Sequence, residues 1–264
     1  MDLGLAQQTA LVTGSTAGIG LATATLLAKE GASVVVNGRT EKRVAAAVAQ
    51  VQAAAPGARV RGVAADLSTA AGAERLIEGV PDVDILINNA GVFAPAAFEE
   101  ISDAEWSRFF ETNVMSGVRL SRHHFPRMLR RDRGRIIFVS SESAVQIPVE
   151  MIHYGTTKTA QLALARGLAE RTRGTGVTVN SVLPGPTGSE GVSTFVRDLA
   201  AARGVSFETM EREFFATARP SSLLARFATP AEVANMIVYL ASAAASATNG
   251  AAVRVDGGVV RSVI

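Results

Sequence analysis

Short apolar runs alternate with longer segments of helical period along the chain, and this alternation limits the folds that the chain can adopt. Seven runs are predicted to be strands: Thr9–Thr13, Ser33–Asn37, Ala58–Ala64, Val83–Ile87, Gly134–Ser140, Val177–Val182 and Ala251–Val255. Six segments have the period of a helix: Ile19–Glu30, Glu41–Ala54, Ala71–Glu78, Asp103–Arg131, Met151–Arg173 and Pro230–Ala241. Strands that alternate with helices pair in parallel through right-handed crossovers. The sequence therefore predicts an α/β fold, a doubly wound parallel sheet of about seven strands with helices on both faces.

Length and composition favour a single domain and exclude several classes of function. The 264 residues fit one α/β domain, which we place at residues 1–264. The chain has no cysteine, which excludes thiolate catalysis and favours a cytoplasmic location, and its first residues lack a secretory signal. A formal net charge of +2 with dispersed basic residues argues against nucleic acid as a partner, and no apolar run is long enough to span a membrane. The three histidines lack the spacing of metal ligands, so no metal site is predicted.

A glycine-rich turn follows the first predicted strand and opens the first predicted helix. Its sequence is Thr13-Gly14-Ser15-Thr16-Ala17-Gly18-Ile19-Gly20. Glycines at such a place allow a tight turn and a close approach of the backbone to a pyrophosphate, while the helix end offers unpaired N–H groups to the anion. The motif predicts a dinucleotide site, although an ordinary turn could have the same sequence. The expected contacts come from Gly14, Ser15, Thr16, Gly18, Ile19 and Gly20.

The end of the second strand bears on the choice of dinucleotide. It reads Asn37-Gly38-Arg39 and lacks the carboxylate that binds the ribose 2′-hydroxyl in NAD sites. Arg39 can instead bind a 2′-phosphate through a charge-assisted fork, and Lys42 and Arg43 add positive potential. The sequence thus favours NADP(H) over NAD(H), the alternative being that Arg39 is only a solvated loop cation.

Two further strands end in polar or small residues. Asp66 and Leu67 follow the third strand, where the carboxylate could accept a hydrogen bond from the adenine amino group or could cap the next helix. Asn88-Asn89-Ala90-Gly91 follows the fourth strand and allows the backbone to approach a ligand closely, although it could also be only a turn. We expect cofactor contacts from Asp66, Leu67, Asn89, Ala90 and Gly91.

Candidate chemical groups lie after the fifth strand. Ser140 and Ser141 end that strand, and the next predicted helix carries Tyr154 and Lys158. Their four-residue spacing places both side chains on one face of the helix, where an ammonium could lower the pKa of the phenol from its usual value of about 10. By itself such a pair is common on ordinary helix surfaces.

Taken together, these motifs resemble the short-chain dehydrogenase/reductase family, and in particular its members that are similar to 3-oxoacyl-carrier-protein reductases. The resemblance covers nearly the whole chain and implies a Rossmann fold. The order of the motifs and the thirteen-residue gap between Ser141 and Tyr154 agree with the family. The matching elements are Thr13 to Gly20, Asp66, Asn88–Gly91, Asn113, Ser141, Tyr154, Lys158 and Pro184-Gly185.

The resemblance implies a role for each of four catalytic residues in a hydride transfer between a nicotinamide and a ketone or secondary alcohol. Tyr154 is expected to exchange the proton at the substrate oxygen, which Ser141 holds. Lys158 is expected to bind the nicotinamide ribose and lower the phenol pKa, and Asn113 to anchor a water that relays protons. Ser140 and Ser143 remain alternatives to Ser141.

The family also implies contacts at the nicotinamide end and an assembly. Pro184 and Gly185 are expected to lie against the nicotinamide, and Thr187 to bond its carboxamide, although Pro186 shortens the usual spacing. A homotetramer is expected, built partly on the helices Asp103–Arg131 and Met151–Arg173. Alternatives to the reductase are a non-catalytic NADP(H) sensor, which would have no need for the four catalytic residues, and an isomerase or lyase.

The stretch of residues 186–227 has no place in the predicted sheet. Long insertions of this kind are usually lids or binding loops, so we expect it to contact a small-molecule substrate. Its apolar residues suggest a substrate with an apolar part, although a packed helix pair explains them nearly as well, and its arginines leave an anionic substrate open. The residues concerned are Phe195, Met210, Phe214, Phe215, Leu223 and Phe227, and Arg197, Arg203, Arg212 and Arg219. Glu142 beside Ser141 could reach a polar group of the substrate, but an exposed loop carboxylate is the favoured expectation. His153 is expected to be a substrate or solvent contact.

Overall fold

Seven parallel strands form one sheet in the computed structural model, which describes residues 2–263 except for the side chains of residues 191, 193–195, 198, 199 and 202. The strands are β1 (Thr9–Val12), β2 (Ser33–Gly38), β3 (Val60–Ala64), β4 (Ile85–Asn88), β5 (Gly134–Val139), β6 (Val177–Pro184) and β7 (Ala252–Val255). They lie in the order β3-β2-β1-β4-β5-β6-β7. Each predicted strand overlaps one of them, so the predicted sheet is confirmed.

The described residues form nine α-helices, which connect the strands. They are α1 (Gly18–Lys29), α2 (Glu41–Ala54), α3 (Ala70–Gly79), α4 (Asp103–Phe110), α5 (Ser116–Arg130), α6 (Ile152–Glu170), α7 (Glu190–Arg203), α8 (Phe207–Thr217) and α9 (Pro230–Ala241). The predicted helix Asp103–Arg131 is divided into α4 and α5 by a π-helical turn, Glu111–Met115. Within residues 2–263, no helix has both the length and the apolar character needed to cross a membrane.

The sheet is buried on both faces because β-strand side chains alternate in direction. In β1, Ala10 and Val12 belong to one core, which α1, α2 and α9 cover, whereas Leu11 belongs to the core under α3, α5 and α6. All three side chains are fully buried. Apolar residues at successive positions of the strand therefore reflect a sheet between two helical layers.

The strand order changes direction between β1 and β4, which are neighbours at the centre of the sheet. From β1 the chain adds β2 and β3 on one side, and from β4 it adds β5, β6 and β7 on the other. The carboxyl ends of parallel strands form a crevice at such a point, and ligands of open α/β sheets bind there. The glycine-rich turn after β1 and the polar turn after β4 both lie at this crevice. Topology thus brings the two predicted halves of the site together.

Candidate active site

The glycine-rich turn has a backbone that suits a phosphate cradle. Gly14 and Gly18 have φ values of +59° and +55°, a region that glycine occupies without strain. A Cβ atom at Gly20 would lie 2.5 Å from the carbonyl oxygen of Gly14, so α1 packs closely on the turn. The N-cap of α1, Ala17, accepts no hydrogen bond through its side chain, whereas Ser or Thr side chains cap α2, α3, α4, α7, α8 and α9. The first N–H groups of α1 are thus left for an anion, which fits the pyrophosphate of a dinucleotide.

Hydrogen bonds join the glycine-rich turn to the turn after β4. The Thr13 hydroxyl accepts bonds from the backbone N–H groups of Asn89 and Ala90, each at 2.9 Å. The Asn89 side chain donates to the carbonyl oxygens of Thr13 and Gly14. Ser15 is engaged within the fold, because its hydroxyl donates to Val12 and its amide to the Asn37 carbonyl. The two turns therefore form one wall of the crevice, with Thr16, Gly18 and Ile19 at the open helix end.

The expected adenosine end of the crevice has a free cation and a carboxylate. Arg39 is exposed and pairs with no carboxylate among the described side chains, whereas Arg43 pairs with Glu190. A cleft lined by Arg39, Glu41, Asp66, Gly72 and Arg75, among others, opens beside it. The Asp66 carboxylate accepts bonds from Ser68, and Thr69 caps α3 in its place. A guanidinium and a carboxylate thus lie together at the expected adenosine end of the crevice.

The π-helical turn places Asn113 at the crevice. Its side-chain amide donates to the Val92 carbonyl and to the Thr157 hydroxyl, both at 3.0 Å, and its side-chain oxygen accepts from the Val92 amide at 2.7 Å. Asn113 is 1% exposed. A π turn adds one residue to a helical turn and is frequent at functional sites, and here it interrupts the predicted continuous helix at this side chain. Gln161 of α6 donates to the Asn113 carbonyl at 2.5 Å and fixes the turn from the other side.

The structure distinguishes the three candidate serines after β5. The Ser140 hydroxyl donates to the backbone carbonyl of Lys158 at 2.9 Å and so anchors α6. The Ser141 hydroxyl accepts the backbone N–H of Ser143 at 3.1 Å and donates to the Glu142 carboxylate at 2.6 Å. The two serines thus have different partners: Ser140 anchors the helix that carries Tyr154, whereas Ser141 bonds within the turn after β5.

Lys158 lies one turn along α6 from Tyr154, as the spacing predicts. Its ammonium is 5.6 Å from the centre of the Tyr154 ring and donates to the carbonyl of Val139 at 3.0 Å and to Gln161 at 3.3 Å. A Cβ atom at Gly91 would lie 3.5 Å from this ammonium and 3.3 Å from the Asn113 side-chain oxygen. Asn113, Lys158 and the turn after β4 therefore meet at one point of the crevice.

The electrostatics around Tyr154 differ from the expectation that Lys158 lowers the phenol pKa. Burial and the Glu142 carboxylate raise the pKa of Tyr154 above its ordinary value, whereas the hydrogen bond to Ser141 and the charge of Arg219 lower it. Burial outweighs the other effects, and the Lys158 ammonium is held by Val139 and Gln161. Burial lowers the pKa of Lys158 to about 8.

The predicted nicotinamide segment lies at the end of β6. Pro184 ends this strand, and a Cβ atom at Gly185 would lie 2.6 Å from the backbone of Asp256, so only glycine fits there. Thr187 is buried, and its hydroxyl donates to the Gly185 carbonyl at 2.9 Å. Its backbone forms an isolated bridge with Ala228. Thr187 is therefore fixed at the base of segment 186–227.

Segment 186–227 forms α7, α8 and a small core of its own. Phe214, Phe215 and Phe227 contact one another with ring centroids 5.1–5.2 Å apart, and Met210 belongs to the same cluster. The packed helix pair, rather than a large apolar ligand, accounts for these side chains. Leu223 is exposed, and the Phe195 side chain lies outside the described residues.

Sequence reasoning missed one polar residue and was wrong about two others. Gln161 carried no signal beyond its position three residues after Lys158. Glu142 is not an exposed loop carboxylate, because it is 5% exposed and pairs with Arg219 of segment 186–227. His153 is neither a substrate nor a solvent contact, since it is buried with its ring 4.1 Å from that of Phe109.

Several known proteins are similar to this chain over its full length. A family model described as short chain dehydrogenase matches residues 8–200. Two proteins of Bacillus subtilis (strain 168), named uncharacterized oxidoreductase YvaG and YvrD, are 46% and 48% identical, and each alignment covers 100% of both chains. The crystal structure of L-sorbose reductase from Gluconobacter frateurii, complexed with NADPH and L-sorbose, is 33% identical, with a TM-score of 0.93 and 100% of both chains covered. The likeness therefore includes segment 186–227.

Proposed function

Because the chain belongs to the short-chain dehydrogenase family and is an oxidoreductase, we propose that it is an NADP(H)-dependent reductase of a ketone, or dehydrogenase of the corresponding secondary alcohol. The observation that supports this proposal is that Asn113 and Lys158 lie together at the turn after β4, with the Tyr154 ring 5.6 Å from the Lys158 ammonium. A protein that only sensed the cofactor would have no need for a proton-transfer group there.

Each catalytic residue has a distinct task in the proposed reaction. The bound nicotinamide would supply a hydride to the carbonyl carbon or accept one from the alcohol. Tyr154 donates the proton to the substrate oxygen in reduction and accepts it in oxidation. Ser141 holds that oxygen beside the phenol, Lys158 binds the nicotinamide ribose, and Asn113 anchors a water that carries protons outward. The fold contributes the positions of these groups.

Arg39 supports the preference for NADP(H). It is the cation at the end of β2, it is exposed, and no carboxylate among the described side chains neutralises it. A guanidinium binds a phosphate through two parallel charge-assisted hydrogen bonds. The L-sorbose reductase structure with which this chain shares 33% identity contains NADPH, which agrees with the proposed cofactor. Pro184, Gly185 and Thr187 would lie at the nicotinamide end.

Segment 186–227 is proposed to act as the lid over the substrate. Arg219 of this segment reaches Glu142, the residue next to Ser141, so the segment closes one side of the catalytic group. Exposed apolar side chains also lie near Tyr154, among them Phe93, whose ring centroid is 6.4 Å from that of Tyr154, and Ile147, which lies close to Gly155. These surfaces would shape the choice among ketones.

Assembly and location form part of the same proposal. We propose a homotetramer in the cytoplasm, built on the interface that α4, α5 and α6 form in the family that the sequence resembles. The absence of cysteine agrees with a reducing compartment. Light scattering of the purified protein would give the mass of the assembly, and a mass of one chain would contradict the tetramer.

The experiment that tests the function is a substrate survey with the purified protein. Oxidation of NADPH and of NADH is followed with 3-oxoacyl thioesters, diketones, cyclic ketones and ketoses including L-sorbose. The proposal predicts turnover of one class, faster with NADPH than with NADH. Tight NADPH binding without turnover of any class would contradict a reductase and favour a sensor or an isomerase.

A further inference from the structure

A buried carboxylate touches the catalytic serine. Glu142 lies in the short 3₁₀ turn Glu142–Ala144 after β5, and it is 5% exposed. Its Oε2 atom accepts a hydrogen bond from the Ser141 hydroxyl at 2.6 Å. A glutamate is almost never buried to this extent unless it is paired. The expected roles of the four catalytic residues give Glu142 no part, so its burial needs a separate reason.

The partner of Glu142 comes from segment 186–227. Arg219 is 8% exposed, and its Nε atom lies 3.4 Å from Oε1 of Glu142. Its Nη1 atom lies 3.2 Å from Glu150, whose side chain is 44% exposed. The guanidinium also lies 5.9 Å from the centre of the Phe214 ring. One arginine thus connects the proposed lid to the residue that holds Ser141.

The contact of Glu142 with Ser141 determines where the serine proton lies. A carboxylate can only accept a hydrogen bond, and a serine hydroxyl has one proton to donate. The turn that holds both residues lies against α6 next to Tyr154, since a Cβ atom at Gly155 would be 3.0 Å from the Ser143 carbonyl oxygen. When Ser141 donates to Glu142, that proton is withheld from the Tyr154 oxygen. The Tyr154 phenolate is then stabilised less than it would be by a free serine.

The charge of Glu142 acts on the phenol in the same direction as the withheld serine proton. After burial, the negative charge of Glu142 is the largest cause that raises the pKa of Tyr154, and the positive charge of Arg219 opposes it. Lys158 is the other cation near the ring, at 5.6 Å from its centre. Glu150 pairs with the same guanidinium, with 3.2 Å between Nη1 of Arg219 and Oε1 of Glu150. The protonated form of Tyr154, which donates the proton in reduction, is favoured.

We propose that Glu142 is a positioning residue that binds the Ser141 proton and thereby keeps Tyr154 in its acid form, and that Arg219 sets the strength of this contact from the lid. The inference rests on the proposed reductase function. Seating of segment 186–227 brings the guanidinium to Glu142, weakens its hold on the serine proton and eases ionisation of Tyr154. Closure of the lid is therefore coupled to the protonation state of Tyr154.

The test is a spectroscopic titration of the Tyr154 phenol. The chain has two tyrosines, so Tyr239→Phe leaves Tyr154 as the only phenol. In this background, phenolate absorbance is followed from neutral pH to the pH at which circular dichroism detects unfolding. Glu142→Gln is expected to raise the phenolate-to-phenol ratio at a given pH by about tenfold, the effect of removing one nearby charge. Glu142→Asp and the matched control Glu150→Gln are expected to change it by less than about threefold.

Two further measurements separate the alternatives. If Glu142→Gln fails to fold, the double variant Glu142→Gln/Arg219→Gln leaves no unpaired buried charge and is expected to shift the ratio in the same direction, by less. With a turned-over ketone, Glu142→Gln is expected to lower kcat while the Kd of NADPH stays unchanged. A Tyr154 that ionises no more readily in the Gln variants overturns the inference, whether or not the protein reduces a ketone. If the titration is as predicted but the unmodified protein turns over no ketone, the proposed reductase function is contradicted and the role of Glu142 is not.

Discussion

Lys158 holds its ammonium 5.6 Å from the centre of the Tyr154 ring, one helical turn along α6, and the backbone carbonyl of Val139 accepts a hydrogen bond from it. The carbonyl belongs to the last residue of β5, so the strand fixes the lysine and the helix fixes the tyrosine relative to it. Lys158 is 4% exposed. A cation this deeply buried costs free energy of folding, and the site retains it beside the phenol.

The first prediction concerns the pH dependence of stability. The pKa of Lys158 is lowered by burial to about 8 in the folded chain, from 10.5. Between these two values the unfolded chain binds more protons, so the free energy of unfolding rises with pH, and below about pH 8 the full penalty is present. Lys158→Met is therefore expected to gain stability over the parent near neutral pH, and this gain should shrink by about 3 kcal/mol by pH 10.5. Urea unfolding at several pH values measures the difference.

The control for this prediction is the background in which the phenol cannot titrate. The Tyr154→Phe protein is compared with the double variant Tyr154→Phe/Lys158→Met. The titration of carboxylates and of other groups contributes equally to both unfolding free energies and cancels in their difference. A difference in unfolding free energy that is the same at neutral and alkaline pH would show that Lys158 is not destabilised by burial.

The second prediction concerns the cofactor phosphate. Arg39→Ala is expected to raise the Kd of NADPH by about 10- to 100-fold, because a charge-assisted hydrogen bond contributes roughly 1.5–3 kcal/mol. The Kd of NADH is expected to change by less than about threefold, since NADH has no 2′-phosphate. Titrations that follow the fluorescence of the reduced nicotinamide measure both constants, with Arg61→Ala on β3 as an exposed-arginine control. Equal changes in the two Kd values would show that Arg39 does not bind the 2′-phosphate.

The third prediction tests the close packing under the glycine-rich turn. Gly20→Ala places a Cβ atom 2.5 Å from the Gly14 carbonyl and from the Asn89 side chain, so it is expected to destabilise the fold by about 1–3 kcal/mol and to weaken NADPH binding. Gly167→Ala on α6 is the matched control, because no atom lies within 4 Å of its Cβ. That control is expected to stabilise the chain by roughly 0.5–1 kcal/mol. Urea unfolding of the two variants gives both numbers, and a Gly20→Ala protein as stable as its parent would contradict this packing.

Local sequence was sufficient for the sheet and for the spacing of the catalytic residues. The seven strands are short apolar runs whose ends carry the turns, so their order along the chain predicts a doubly wound sheet. Tyr154 and Lys158 are four residues apart on a helix, and Ser141 follows β5 by two residues. These relationships depend on neighbours in sequence or on the regular geometry of the fold.

The features that sequence reasoning missed depend on distant contacts. Glu142 is buried because Arg219, 77 residues later, reaches it, and no pattern near Glu142 indicates that partner. The π turn at Asn113 is held by Val92 and Gln161, which come from a loop and from another helix. The pKa of Tyr154 follows from burial, which only the packed fold defines.

The most direct test of the proposed mechanism is the turnover of Tyr154→Phe with the ketone identified in the substrate survey. Phenylalanine keeps the ring and removes the hydroxyl group whose proton Tyr154 is proposed to exchange. General acid catalysis contributes about 10²- to 10⁴-fold, so kcat is expected to fall by that factor while the Kd of NADPH stays within about twofold. A variant that binds NADPH normally and retains most of its kcat would contradict Tyr154 as the acid/base.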